Sequence, residues 1–379
     1  MQSPTTARLQ QARQLMDQFV QRTGLACTTV DLNRQYLWTD AFAVQTLFGL
    51  ADALDEPGYH ELALKLVDRV HETLGKYHPD DKRQGWINGL RETEAVNHPT
   101  IGGLRIGKAL PERPEGEPPD EQLEWQRDGQ YFHYHTRWFN ALLEAAHATG
   151  EQKYARWAAE LICSGRKFIY RHHGRLGMYW KMSTDLSRPL VTSMGAHDPL
   201  EGLICTVAAL NAVPSMEQEL RPLMQDFEKM CSGQDWTTTD TLGIGGLLLA
   251  SLRVGLMAAP GVTLPSPADP ETLWADSLRS LQVYAQQHVA GGSPEGRLGF
   301  RECGLALGLR ALHSAKSLRE EGELNLGPLD HFISLATEIQ DFWLAPQNQR
   351  ASTWTGHLDI NAVTLAASLV AAEAPLVFG

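Results

Sequence analysis

The chain has 379 residues, of which 43% are hydrophobic and 21% charged, and a formal net charge of −12. This balance supports a folded core of ordinary size and excludes a disordered polymer. Lys and Arg are scattered without a basic block, which excludes nucleic acid as the expected partner, since phosphate neutralisation dominates such binding.

No apolar run reaches about 18 residues, so no membrane-spanning helix is expected. Met1 to Arg22 is polar and amphipathic, without the apolar centre of a signal peptide. Five cysteines (Cys27, Cys163, Cys205, Cys231, Cys303) are widely spaced and form no Cys-x-x-Cys pair. They read as reduced thiols in a cytoplasmic protein.

Helical periodicity dominates the chain and strand-like alternation is scarce. The first helix is predicted over Thr6 to Arg22. A loop through Leu32-Asn33-Arg34 leads into a second, Trp38 to Leu54, which Glu56-Pro57-Gly58 breaks. The third, His60 to Lys76, sets Leu62, Leu66, Val70 and Leu74 on one stripe. Residues 78–130 then form the longest irregular stretch. Loops of that length serve as lids, binding loops or inserts. Its Pro111 to Pro119 run, rich in Pro and Glu, is expected to be a mobile flap.

Helices four and five are predicted over Tyr131 to Thr149 and Lys153 to Tyr170, with Gly150 stopping the first of them. Helix six starts at Asp198-Pro199 and stops before Pro214. Helix seven covers Met216 to Cys231 and helix eight Thr241 to Met257. A Pro-rich link follows, Pro260 to Pro270. Helices nine to twelve are predicted over Glu271 to His288, Phe300 to Ser314, Leu329 to Trp343 and Leu358 to Ala372. Even-numbered helices are small and apolar nearly all round, as in Ile244 to Ala250 and Ala362 to Ala367, which marks buried helices. Odd-numbered ones are amphipathic. The pair repeats roughly every 60 residues, in structure and not in sequence.

The loops alternate as well. Those leading into even helices are long and aromatic, and several leading out are tight turns. The first turns of the even helices carry the chemistry: Trp38-Thr39-Asp40, His133-Tyr134-His135, His197-Asp198, Asp240, Arg301-Glu302 and His357-Leu358-Asp359. This pattern resembles the (α/α)6 toroid of the six-hairpin glycosidase superfamily. The resemblance covers the whole chain, 1–379, as one all-α catalytic domain with a long loop insertion. It implies an inner ring of parallel even helices, an outer ring of odd ones, and a sugar cleft at the N-terminal ends of the inner helices.

Glycoside hydrolysis needs two carboxyl groups flanking the scissile bond. The candidates are Asp40, Asp198, Glu302 and Asp359, with His197 and His357 beside two of them. Each acid also reads as a helix cap or a dipole partner, and Asp240 reads as a cap alone. In Asp198-Pro199-Leu200-Glu201, Asp198 fits the cap, Pro199 the first helical position and Glu201 the third. A helix N-terminus favours the charged carboxylate; a proton donor needs a drier position or a like-charged neighbour.

Trp38, Trp86, Tyr131, His133, His135, Trp138, Tyr179, Trp180, Trp236, Arg301 and Trp354 are the expected sugar-binding residues, because flat aromatic faces stack on sugar C–H faces. Buried Trp plugging the fold is the plainer alternative. His133 and Arg137 share one helix face, and Tyr131, His135 and Trp138 another. N-acylglucosamine 2-epimerases use the same toroid with His acid–base pairs, which leaves sugar epimerisation or isomerisation as the second reading. A non-catalytic ligand- or partner-binding toroid is the third. The motifs call for no metal and no cofactor: His133 and His135, two apart on a helix, face apart, and there is no phosphate loop.

Overall fold

A computed structural model describes residues 4–26, 35–172, 174–258, 264, 266–287, 292–316 and 327–379. The loop through Leu32 to Arg34, Cys27 and the start of the Pro260 link lie outside the described residues. The other four cysteines are free thiols. No single described helix is long and apolar enough to cross a membrane.

Twelve long helices occur among the described residues: α1 (Pro4–Arg22), α2 (Leu37–Leu54), α3 (Gly58–Leu74), α4 (Phe132–Thr149), α5 (Gln152–Cys163), α6 (Asp198–Ala212), α7 (Glu217–Cys231), α8 (Thr241–Ala258), α9 (Pro270–Gln287), α10 (Gly299–Ala315), α11 (Ile333–Leu344) and α12 (Leu358–Val370). All twelve periodic segments of the sequence are therefore helices. α5 is shorter than its pattern: after Cys163 the chain tightens into a 3-10 turn and enters a strand at Ile169. The chain divides into two compact units, described separately below.

The first unit holds residues 1–22, 45–62 and 233–379. Here α8 packs on α10, and α10 on α12. The α8–α10 crossing is made by glycines: a Cβ on Gly245 would lie 2.2 Å from the Gly304 carbonyl, and one on Gly308 would lie 2.6 Å from the Gly245 carbonyl. Leu242 meets Gly304 and Leu248 meets Gly308, so the two helices run in parallel. α10 and α11 are antiparallel, since Trp343 reaches Glu302 while Arg310 reaches Thr337. The α8–α10 and α10–α11 pairs follow the expected alternation of parallel even helices and antiparallel hairpin partners.

The second unit holds residues 23–44 and 63–232. α4 and α6 run in parallel, with His133 facing Asp198 and Arg137 facing Glu201. α4 and α5 are antiparallel, since Phe132 packs against Gly165 and His135 meets Ser164. Five short strands decorate the unit: β1 (Gln130–Tyr131), β2 (Ile169–His172), β3 (Arg175–Met178), β4 (Lys181–Met182) and β5 (Pro189–Val191). β1, β4 and β5 form one antiparallel sheet, with Tyr131 opposite Lys181 and Lys181 opposite Val191. β2 and β3 form a hairpin. Helical periodicity gave no sign of these strands because each is at most four residues long.

The Pro111 to Pro119 run is pinned and not a free flap. Glu112 pairs with Arg83 at 2.8 Å, Arg113 with Glu124 at 2.9 Å, and Glu117 with Arg127 at 2.8 Å. Beneath it, Arg105 and Asp128 form a buried ion pair. Two of its three Glu residues, Glu112 and Glu117, are countered by arginines of the same long loop, and Glu115 stays exposed.

Candidate active site

The second unit gathers three helix starts into one aromatic cluster. In the first turn of α2, the Asp40 carboxylate reaches back to accept the Tyr36 backbone N–H at 3.0 Å, so this buried acid fixes the helix start. That places Trp38 with its ring centroid 6.2 Å from His133 and 5.4 Å from Tyr134. Tyr131, anchored in β1, stacks on His133 at 5.0 Å with the rings 28° apart. The hydroxyls of Tyr36 and Tyr134 share a hydrogen bond. Trp180, just before β4, donates its indole N–H to His133 Nδ1 at 3.3 Å. Burial, helped by the nearby Arg137 charge, depresses the His133 pKa well below the usual imidazole range, so the ring is neutral.

Asp198 lies against this cluster, Oδ1 3.9 Å from His133 Nδ1. It is the first helical residue of α6, with His197 at the cap, and no side chain caps the helix. The expected register is therefore off by one. Asp198 is not the cap, and its carboxyl folds back against Gly195, where an added Cβ would lie 2.6 Å from the carboxyl carbon. The residue is 5% exposed, and its Oδ2 has no hydrogen-bond partner among the described residues. Burial first, then the Glu201 charge, raises its pKa to about 7. Position and neighbour thus supply the two conditions named for a proton donor, against the pull of the helix dipole.

Glu201, three residues on, is 4% exposed and accepts a hydrogen bond from Arg137 Nη2 at 2.9 Å. The Arg137 guanidinium also sits over the Trp38 ring at 5.5 Å. One carboxyl is thus dry and lacks a cation of its own, while the next along the helix face is paired with an arginine. Glu201 was read from sequence as a capping residue only. Its spacing from Asp198, and that of Arg137 from His133, were the available signals that these four share facing stripes.

Several expected site residues are structural. His135 is fully buried, with Nε2 at 3.1 Å from the Leu104 carbonyl and Nδ1 at 3.3 Å from Ser164 Oγ. Trp138 donates to His71 Nε2 at 3.1 Å inside the core. Trp86 donates to Glu92 at 2.7 Å. Tyr179 packs on Tyr170 at 4.8 Å. His197 is half-buried at the α6 cap.

The remaining candidates belong to the first unit. Glu302 is gripped by Arg297 through two nitrogens and accepts the Trp343 indole N–H at 2.7 Å. Trp354 stacks on Trp343 at 5.3 Å and is 2% exposed, and Trp236 is 1% exposed with its N–H on the Pro267 carbonyl. These two fill the core, as the plainer alternative held. Asp359 makes a surface ion pair with Arg22 at 2.8 Å. Arg301 pairs with Asp240, and the exposed His357 touches the Phe300 ring edge-on at 5.9 Å. Among the described residues, no group of three or more His, Cys, Asp or Glu could hold a metal ion.

No protein-family model matches the chain, and no curated protein does. Solved structures do. An inactive variant of an alpha-1,6-mannanase, GH76A of Salegentibacter sp. HEL1_6, lacking two consecutive aspartates and in complex with alpha-1,6-mannotetrose, matches with a TM-score of 0.57 at 13% identity, over 98% of this chain and 99% of that one. A GH76 alpha-mannanase of Bacteroides thetaiotaomicron matches with a TM-score of 0.54 at 10% identity, over 99% of this chain and 96% of that one. The likeness covers nearly the whole of each chain, and with it the chain has the (α/α)6 toroid fold.

Proposed function

We propose that the protein is a glycoside hydrolase acting on an oligosaccharide, with Asp198 as the general acid. The observation that carries this reading is the Asp198 carboxyl: buried, with one oxygen unpartnered, and raised to a pKa of about 7 beside the aromatic cluster. Glu201, bonded to Arg137 one turn along the same helix, is the neighbouring carboxyl whose charge helps keep the proton on Asp198. Two carboxyls driven apart by their surroundings is the pattern of a glycosidase acid and its partner. The fold shared with two mannanases, one of them in complex with a mannose tetramer, supports an oligosaccharide substrate. That mannanase is inactive without two consecutive aspartates. The one Asp-Asp pair here is Asp80-Asp81, in a turn with Asp81 bound to Arg83 at 2.8 Å.

Epimerisation with His133 as the base is the weaker reading. A neutral imidazole has one free lone pair, and Trp180 occupies the one on Nδ1. The test is a screen of aryl glycosides, linear oligosaccharides and free aldoses, the last in deuterated water. Hydrolysis that falls at least about a hundredfold in Asp198→Asn is expected, the usual scale for a general acid. Deuterium uptake into a free sugar without any hydrolysis would overturn the reading in favour of isomerisation.

A further inference from the structure

A cavity adjoins the cluster. Its volume is about 610 Å³, within the range of small-ligand sites. The segment from Pro119 to Trp125 forms one wall and Pro189 to Ser193 the other. Tyr131 and Trp180 line it from within, and these are the same rings that stack on and bond to His133. Across from Trp180 stands Trp125, 5.6 Å away with the rings at 84°. Trp125 is 52% exposed, although the other large aromatics of this region are buried or half-buried. One indole held upright by another, with its face left wet, is a platform for sugar C–H groups.

The charges around this cavity are unequal. Arg113 is its one lining cation, and it is consumed by Glu124 at 2.9 Å and by the carbonyls of Glu117 and Leu190. Lys181 also binds Glu124, at 3.1 Å. Asp120 and Glu121, by contrast, stand exposed at the rim without a cation among the described residues; Asp120 accepts only the Leu123 N–H, at 3.0 Å. Their carboxylates accept hydroxyl hydrogen bonds and repel anions.

We propose that this cavity is a distal sugar subsite, built for an uncharged unit of an oligosaccharide and closed to uronic or sulfated ones. The proposal rests on the hydrolase reading, because Tyr131 and Trp180, which line this cavity, also hold His133 beside Asp198. It makes the preferred substrate a neutral chain long enough to reach Trp125.

Calorimetric titration of the Asp198→Asn protein tests it, since that variant leaves the probes uncleaved. The probes are neutral linear oligosaccharides of two to six hexoses, alpha-1,6-mannotetraose among them, and oligogalacturonates of equal length. At least one neutral series is expected to bind more tightly with length. Adding Trp125→Ala should weaken the longer members at least fivefold and leave the disaccharide unchanged, with Trp125→Phe recovering most of the loss. Oligogalacturonates should bind at least tenfold more weakly, and Asp120→Lys with Glu121→Lys should narrow that gap. Three results would each overturn the proposal: no binding by any neutral series, unaltered binding in Trp125→Ala, or equal affinity for the anionic probes. Because the readout is binding, a parent protein that hydrolyses nothing would sink the catalytic reading and leave the subsite standing.

Discussion

The indole N–H of Trp180 points at Nδ1 of His133, 3.3 Å away, and the direction of that bond sets the chemistry beside it. Nδ1 is an acceptor, so the proton of the neutral ring sits on Nε2. The 3.9 Å approach of Asp198 to Nδ1 is then not an ion pair, and Asp198 keeps its proton for another acceptor. Trp180→Phe removes the donor and frees Nδ1 to take a proton and face the carboxylate. The expected outcome is a downward shift of the alkaline limb of kcat/KM, with the fold intact by circular dichroism. An unmoved pH profile would show that Trp180 only packs.

Asp198 should cost the protein stability at neutral pH. Its folded pKa, about 7, exceeds the unfolded carboxylate value, so the folded state binds the extra proton. Its favourable term is fully present below about pH 4 and is lost as pH rises through about 7. Asp198→Asn cannot ionise and should remove this slope, raising Tm at pH 8 relative to the parent and leaving pH 4 nearly unchanged. Urea titrations across this window measure it. Parallel profiles for the two proteins would contradict the raised pKa.

Buried histidines act with the opposite sign. Burial lowers the pKa of His71 to about 3 and of His135 to about 4. Their folded values lie below the unfolded one of about 6.5, so their term is present above that pH and is lost as pH falls toward the folded values. Acid unfolding should therefore begin below about pH 6.5, and His135→Gln should flatten it if the amide keeps the Leu104 contact. Stability that holds constant from pH 7 to 4 in Asp198→Asn, where the opposing Asp198 term is gone, would count against this.

Arg137 guards a buried charge. Arg137→Met removes the 2.9 Å partner of a Glu201 that is only 4% exposed. Breaking a buried pair from one side costs about 3–5 kcal/mol. The added change Glu201→Gln should return most of that stability while activity stays low, because the charge that holds the proton on Asp198 has gone. Chemical denaturation of the two single variants and the double separates these terms.

Glu302 was as good a catalytic candidate in the sequence as Asp198, and the two should part in the laboratory. With Arg297 and the Trp343 indole on its oxygens, Glu302 is fully engaged in holding α10 to α11. Glu302→Gln is expected to lower stability by about 1–3 kcal/mol, the usual loss for weakening buried bonds to a charged group. Turnover per folded molecule should match the parent. A hundredfold loss of kcat at unchanged Tm would return Glu302 to the active site.

The sequence made the helices legible because each carries a long periodic stripe and most have a Gly or Pro at one end. It gave Asp198, His133, Tyr131 and Trp38 as candidates, since each stands at or just before a helix start, and Trp180 from the aromatic loop that leads into α6. What it withheld were the partners. Whether a first-turn acid is free or engaged depends mostly on residues distant in sequence: Trp343 for Glu302, beside the nearby Arg297, Arg22 for Asp359, and Arg301 for Asp240. The mobility assigned to Pro111 to Pro119 failed for the same reason, since Arg83, Glu124 and Arg127 lie elsewhere in the loop. The short strands, too, are fixed by their cross-strand neighbours, with no periodicity of their own.

The glycine crossing of α8 and α10 has an evolutionary consequence. Most core contacts can drift, because a lost methyl at one position is offset by a gained one nearby. Gly245, Gly304 and Gly308 meet through backbone atoms, with carbonyls 2.2 and 2.6 Å from where a Cβ would stand. Such a contact has no rotamers to redistribute and no smaller residue to retreat to. Related chains of very different sequence should therefore either keep small residues at this crossing or shift the helices apart. In that sense it works as a fixed gauge block, against which the more tolerant packing around it is free to vary.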